Sequence, residues 1–189
     1  MRKNKLIAGL GNFGEKYNKT RHNVGFWLLD ELAKFHNTQW QQSLKFKADI
    51  ASIDSENGNI YLIKPRQFMN NNGISIASII SFYKIEPQNI IVAHDELDLP
   101  SGTIKLKKGG GNGGHNGLKN IFEHFGNKDF WRLRIGISHP GDKSAVTNYV
   151  LSKPDKNQAT AITDKISDVI DQNDLLINEE FDKFMRIIH

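Results

Sequence analysis

Five groups of side chains in this sequence have types and spacings that could do chemistry, and each also has a plainer reading. The first is His22, in Thr20-Arg21-His22-Asn23. The apolar period Val24, Trp27, Leu28, Leu32, Phe35 predicts a helix over His22–Phe35. A helix N-terminus disfavours imidazolium by roughly 0.3–1 kcal/mol, whereas a nearby carboxylate favours it. A histidine held between the two titrates near neutrality and suits a general base. The plainer reading is a surface histidine at a helix start.

The second group is His94-Asp95-Glu96-Leu97-Asp98, which follows the apolar run Ile90–Ala93. Ligands of α/β folds gather beyond the carboxyl ends of strands. Adjacent residues of an extended chain point to opposite faces, so these acids do not all converge on one metal ion. One carboxylate orienting a histidine from elsewhere is more economical; an Asp-rich capping turn is the alternative. The third group, Phe68-Met69-Asn70-Asn71-Asn72-Gly73, offers amides that donate and accept beside an apolar wall. Asn-Gly is also simply a common turn.

The fourth group is Lys107-Lys108 followed by Gly109–Gly117, in which six glycines enclose His115 and Asn116. Glycine lets a backbone approach a ligand closely, although flexibility alone would also explain it. No Gly-Lys-Ser/Thr follows, so this is not a nucleotide P-loop. The fifth, Gly9-Leu-Gly11-Asn-Phe-Gly14, fits the dinucleotide fingerprint in spacing only. The fingerprint needs a helix opening at the third glycine, and Glu15–Arg21 has no apolar period. Asp30 falls inside a helix and not at a strand end.

The elements that must position these groups alternate in type. Strands are expected at Lys5–Ala8, Asn89–Ala93, Thr103–Lys107 and Trp131–Ile137, with a hairpin of Phe46–Ile53 and Ile60–Lys64 around Glu-Asn-Gly-Asn. Helices are expected at Ile74–Tyr83, Leu118–Phe125, Ser144–Leu151, Asp155–Gln172 and Asn178–Ile188. The pattern predicts an α/β single-domain three-layer sandwich over residues 1–189, with a twisted mixed sheet flanked by helices.

Composition narrows the classes. The 189 residues suffice for a real core, with 38% hydrophobic and 24% charged residues. The absence of cysteine excludes disulfides, thiolate nucleophiles and Cys-ligated zinc. No signal-peptide h-region follows the basic N-terminus, and no stretch reaches the ~20 apolar residues of a membrane span, so the expectation is cytoplasmic. The net charge of +4 is uneven: residues 152–189 hold 5 basic and 8 acidic groups, or −3, which leaves +7 on residues 1–151. Seven Lys/Arg face two acids in Ser101–Arg134, which suits a polyanion.

Together the groups resemble bacterial-type peptidyl-tRNA hydrolase. The matching segments are Gly9–Asn12, Thr20–Asn23, Phe68–Asn70, Ala93–Asp98, Gly109–Gly117 and Arg132–Gly141, in the family's order. The resemblance implies hydrolysis of the ester joining peptide to tRNA, which recycles tRNA from aborted translation, with no cofactor and no metal. It implies His22 as the base that activates water, Asp95 as its partner, and Asn12 as the group that separates peptidyl from free aminoacyl ends. Asn70 and Asn116 resemble amides for the peptide main chain or terminal nucleotide, with Tyr17, Phe68 and Met69 lining the cleft. His115 is implied as a supporting, water-positioning group. Lys105, Lys107 and Arg134 lie where the family clamps the tRNA 5′-phosphate. The implied partner is peptidyl-tRNA, through its acceptor stem, 3′ end and 5′-phosphate; a monomer away from membranes is expected. Two positions depart from the pattern: Phe13 replaces a usual proline and Asn72 a common serine. The acidic tail is expected to serve packing or as a lid.

Overall fold

The computed structural model describes residues 2–189. Its centre is a seven-stranded sheet in the order β2-β3-β4-β1-β5-β7-β6, built from β1 Lys5–Gly9, β2 Gln41–Ser43, β3 Ala48–Ser55, β4 Gly58–Pro65, β5 Ile90–Glu96, β6 Ile104–Lys108 and β7 Trp131–Gly136. The inner strands β4, β1, β5 and β7 run parallel. Both edges are antiparallel: β3 pairs with β4, β2 with β3, and β6 with β7. The expected mixed sheet is therefore present.

Helices cover both faces. α1 Val24–Phe35, α5 Lys156–Asp171, α6 Asn173–Ile177 and α7 Phe181–Ile188 lie on one side, and their Leu28, Leu32, Ile166, Leu176 and Phe184 pack on Ile7, Leu62, Ala93 and Leu133. α2 Asn72–Tyr83 and α3 Asn116–Phe125 lie on the other, with Ile76, Ile79, Leu118 and Ile121 against Leu6, Ala8, Ile63 and Val92. Alternate residues of β1 thus feed two separate cores, as the two-residue side-chain period of a strand requires. The acidic tail is a packing layer: its charges face solvent, while Ile162, Ile166, Val169 and Ile170 are buried.

Several boundaries differ from the sequence expectation. α1 begins at Val24, and Arg21–Asn23 forms a tight 3-10 turn ahead of it. The side chain of Asn23 leaves this turn to bind Asn12, so local capping is replaced by a long-range contact. Phe35, expected on the apolar face of α1, is 57% exposed. β5 continues three residues past Ala93, since Glu96 still pairs with Gly136. β2 has no apolar alternation, being Gln-Gln-Ser at an edge. Phe46 precedes β3 and caps the second core. The stretch 144–151 divides into a turn, Lys143–Ala145, and the short helix α4, Val146–Val150. After Gly14 there is only a 3-10 turn, Glu15–Tyr17, which bears out the reading that no dinucleotide helix opens there.

One glycine permits the active geometry. A Cβ on Gly25 would sit 2.5 Å from the carbonyl oxygen of Ala93 and 2.8 Å from that of Leu10. The N-terminus of α1 can thus lie directly on the ends of β1 and β5, which carries His22 to the C-terminal end of β5. Among the described residues no helix is long and apolar enough to cross a membrane.

Candidate active site

A cleft of about 650 Å³ opens at the C-terminal ends of the parallel strands, where α/β folds bind ligands. Asn12, His22, Asp95, His115, Asn70 and Asn116 all line it. Asp95 occupies the row of Ala93 and Ile135, and His94 that of Arg134, so the acidic run does divide between faces.

The centre is one carboxylate shared by two imidazoles. Nδ1 of His22 lies 2.8 Å from Oδ2 of Asp95, and Nε2 of His115 lies 2.7 Å from Oδ1. The protonation states follow from the remaining contacts. Nδ1 of His115 accepts from the N–H groups of Gly117 and Leu118 as the N-cap of α3. It carries no proton there, so Nε2–H donates to Asp95. Both nitrogens of His115 are committed, and its ring holds Asp95 with none left for a water. When its ring is neutral, His22 donates Nδ1–H to Asp95 and keeps Nε2 as a bare lone pair, the form a general base needs. Burial pushes the Asp95 carboxyl up, but the two imidazoles override it and hold it far below the usual range. The ionised form of Asp95 is thereby favoured.

These three residues bring one donor atom each within 4.8 Å of one another, a set a divalent transition ion accepts. In the arrangement present, each carboxylate oxygen is taken by a ring N–H.

Asn12 is fixed just as firmly. Its Oδ1 accepts from the N–H of Met69 at 2.6 Å, so its Nδ2 is the half left to the cleft. Asn23, fully buried, accepts from Asn12 N–H at 2.8 Å and donates to Asn12 C=O at 2.9 Å. Asn72 does the same for Gly11, accepting its N–H and donating to its C=O, each at 3.0 Å. A serine hydroxyl in place of Asn72 lacks the reach of two separate groups. Asn70 and Asn116 are exposed on the cleft wall. Tyr17 meets Phe68 edge-on at 6.0 Å, while Met69 is buried beneath them. Phe13 is an exposed ring covered by the Arg66 guanidinium at 4.2 Å.

At the other end the cleft is basic. Lys107, Arg132 and Arg134 line it. Lys105 pairs across the strands with Arg134 but does not line the cleft. Glu96 accepts from Nε of Arg134 at 2.8 Å, a contact that does not use the two Nη groups. Arg132 is buried and donates to the carbonyls of Gly110 and Gly111, so it moors the glycine loop that walls the cleft. His94 is buried; its Nδ1–H donates to the Asp95 carbonyl at 2.8 Å, while Nε2 has no partner among the described residues. Burial, aided by His115, pushes its pKa down to about 4.

A sequence model of peptidyl-tRNA hydrolases matches residues 6–189. This chain belongs to the peptidyl-tRNA hydrolase family. It is 49% identical over 185 residues to the peptidyl-tRNA hydrolase of Coxiella burnetii, covering 98% of this chain and 97% of that one. With the Francisella tularensis enzyme it shares 46% identity over 189 residues, covering 100% and 99%. The crystal structure of the Acinetobacter baumannii peptidyl-tRNA hydrolase superposes with a TM-score of 0.94 at 39% identity, covering 100% of this chain and 95% of that one. As a member of this hydrolase family the chain has the ester-cleaving class of chemistry that the resemblance implied.

The site residues missed by sequence reasoning are Arg21, Asn23 and Arg132. Each acts on backbone or on neutral groups, and no local pattern marks such a role. Only the proximity of Arg21 and Asn23 to His22 in the chain was a signal.

Proposed function

We propose that this protein hydrolyses the ester between a peptide and the 3′-terminal ribose of tRNA, with water deprotonated by His22. The observation that carries this is the 2.8 Å contact of His22 Nδ1 with Asp95 Oδ2 across 73 residues of chain. It leaves Nε2 as an acceptor in a cleft edged by asparagine amides. Water bound to Nε2 loses its proton as it attacks the ester carbonyl. Asp95 stabilises the imidazolium that forms, and the proton then passes to the departing ribose oxygen. On this reading the free Nδ2 of Asn12 and the amide of Asn116, both on the cleft wall, donate to the developing oxyanion; one such donor contributes on the order of 3 kcal/mol. Asn70 with Phe68 and Tyr17 takes the peptide, and Lys107 and Arg134 take the 5′-phosphate of the acceptor stem. Phosphate contacts position a polynucleotide without reading its sequence, as a substrate of any elongator tRNA requires. The protein acts on this reading as a cytoplasmic monomer.

The test compares wild type with His22→Ala on N-acetylaminoacyl-tRNA and on free aminoacyl-tRNA. Wild type releases the blocked amino acid faster, chelator leaves the rate unchanged, and His22→Ala binds tRNA without turnover. Retained turnover by His22→Ala rules out the mechanism.

A further inference from the structure

Arg21 precedes His22 in the same turn, yet its side chain points away from the cleft. It is only 7% exposed. Nη1 donates to the Tyr149 carbonyl at 3.2 Å and to Ser152 Oγ at 2.6 Å. Nη2 donates to Oε1 of Gln158 at 2.9 Å, and the guanidinium lies 3.8 Å from the centroid of the Tyr149 ring. Its backbone N–H adds a bond to the Ser152 carbonyl. Every acceptor is neutral, no carboxylate pairs with it among the described residues, and Nε has no partner. A buried cation on neutral acceptors is a poor source of stability, since an apolar side chain fills such a space without the desolvation cost. Its place in the fold suggests what else it does.

The contacts close a ring. Asp95 on β5 holds His22, and Arg21 in the same turn holds Tyr149 on α4. Tyr149 Oη donates to the Ile137 carbonyl at 2.5 Å. The N–H of Ile137 donates to the Glu96 carbonyl, and Glu96 follows Asp95. Val146, Thr147, Val150 and Leu151, in and just after α4, line the cleft. The wall against which a substrate rests and the imidazole that serves it are thus parts of one closed circuit, with Arg21 as the link between them.

We propose that Arg21 is a positioning residue that registers the α4 wall against His22, so that a substrate held by the wall meets Nε2 at reacting distance. This rests on the reading of His22 as the base. Misplacement by about 1 Å is enough to lower turnover on the order of a hundredfold. A residue that only stabilised the fold would lower the melting temperature and leave kcat per folded molecule unchanged.

The experiment measures kcat, KM and melting temperature on N-acetylaminoacyl-tRNA for Arg21→Ala, Arg21→Lys, Tyr149→Leu and the double variant Arg21→Lys/Tyr149→Leu. Arg21→Ala is expected to lose at least tenfold in kcat while folded and to recover part of it with methylguanidinium. Arg21→Lys keeps the charge but not the fork and stays impaired. Since the circuit opens only once, the double variant is expected to be no slower than its slower parent. A kcat within twofold of wild type for folded Arg21→Ala overturns the proposal, as do multiplicative losses in the double variant. If Arg21→Ala does not fold, the Lys and Leu variants decide by the same criterion. Turnover retained by His22→Ala instead overturns the assignment of the base, which separates the two failures.

Discussion

Asn23 clasps Asn12 by both main-chain groups, through hydrogen bonds of 2.8 and 2.9 Å in a buried setting. The clasp joins the turn that bears His22 to the residue whose amide faces the same cleft, so the proposed base and the proposed oxyanion donor share one frame. Asn23→Ala strands a buried N–H and a buried C=O at a cost of about 1–3 kcal/mol each. We expect a lower melting temperature together with a fall in kcat of tenfold or more. Calorimetry and steady-state hydrolysis on the same sample check both. A variant that melts early yet turns over normally shows that the frame is not needed for catalysis.

Asp95→Asn tests the tautomer argument. The carboxylate accepts from two ring N–H groups, whereas an amide offers one acceptor and one donor. His115 cannot change its tautomer without losing the N-cap bonds from Gly117 and Leu118. His22 must therefore adapt, placing its proton on Nε2 and ceasing to be a base. The expected loss in kcat is about 10²–10⁴, as for a triad whose histidine is held in the wrong tautomer. Nitrogen NMR of His22 reads the tautomer directly, and an unchanged Nδ1–H form with normal kcat refutes the argument.

The parts of this arrangement that the sequence made legible were those with a period or a chemical type. The apolar runs of β1, β5 and β7 alternate or persist as buried strands do, and the helices show their buried stripes. His22, Asp95 and the three cleft asparagines stood out by type and by order along the chain. Positions set by partners distant in sequence did not. Asn23 looks like a helix residue until Asn12 is beside it, and β2 is a strand only because β3 supplies its hydrogen bonds. Lys105 and Lys107 look alike in sequence, but the pocket's course along β6 separates them.

His94 gives the protein an acid sensitivity distinct from that of Asp95. Its pKa falls from 6.5 to about 4, chiefly by burial. Between these values the unfolded chain binds a proton that the native state refuses, so stability declines as pH falls from 6.5 to about 4. The decline amounts to roughly 3 kcal/mol, at about 1.4 kcal/mol per pH unit. Asp95 adds to the decline only below its usual value of 3.8, because its folded pKa is depressed. Urea midpoints measured from pH 8 to 4 are expected to fall most below 6.5, and His94→Gln to flatten that slope. An equal slope in the variant shows that other groups carry the effect.

The basic end of the cleft predicts a graded salt response. Lys107 lines the cleft and is exposed, and Arg134 lines it with Nε already held by Glu96. Removing one cation from a phosphate reduces the slope of log affinity against log salt by about 0.7–0.9. Lys107→Ala and Arg134→Gln are each expected to weaken tRNA binding and to reduce the slope by about that amount, with kcat at saturation little changed. Lys105→Ala is expected to do much less, because Lys105, although on β6 with Lys107, does not line the cleft. The measurement is KM against ionic strength, on tRNA with and without its 5′-phosphate. Removing the phosphate should abolish the difference between wild type and Lys107→Ala. If the difference persists, Lys107 binds another part of the tRNA, and the clamp must be assigned to Arg134 alone.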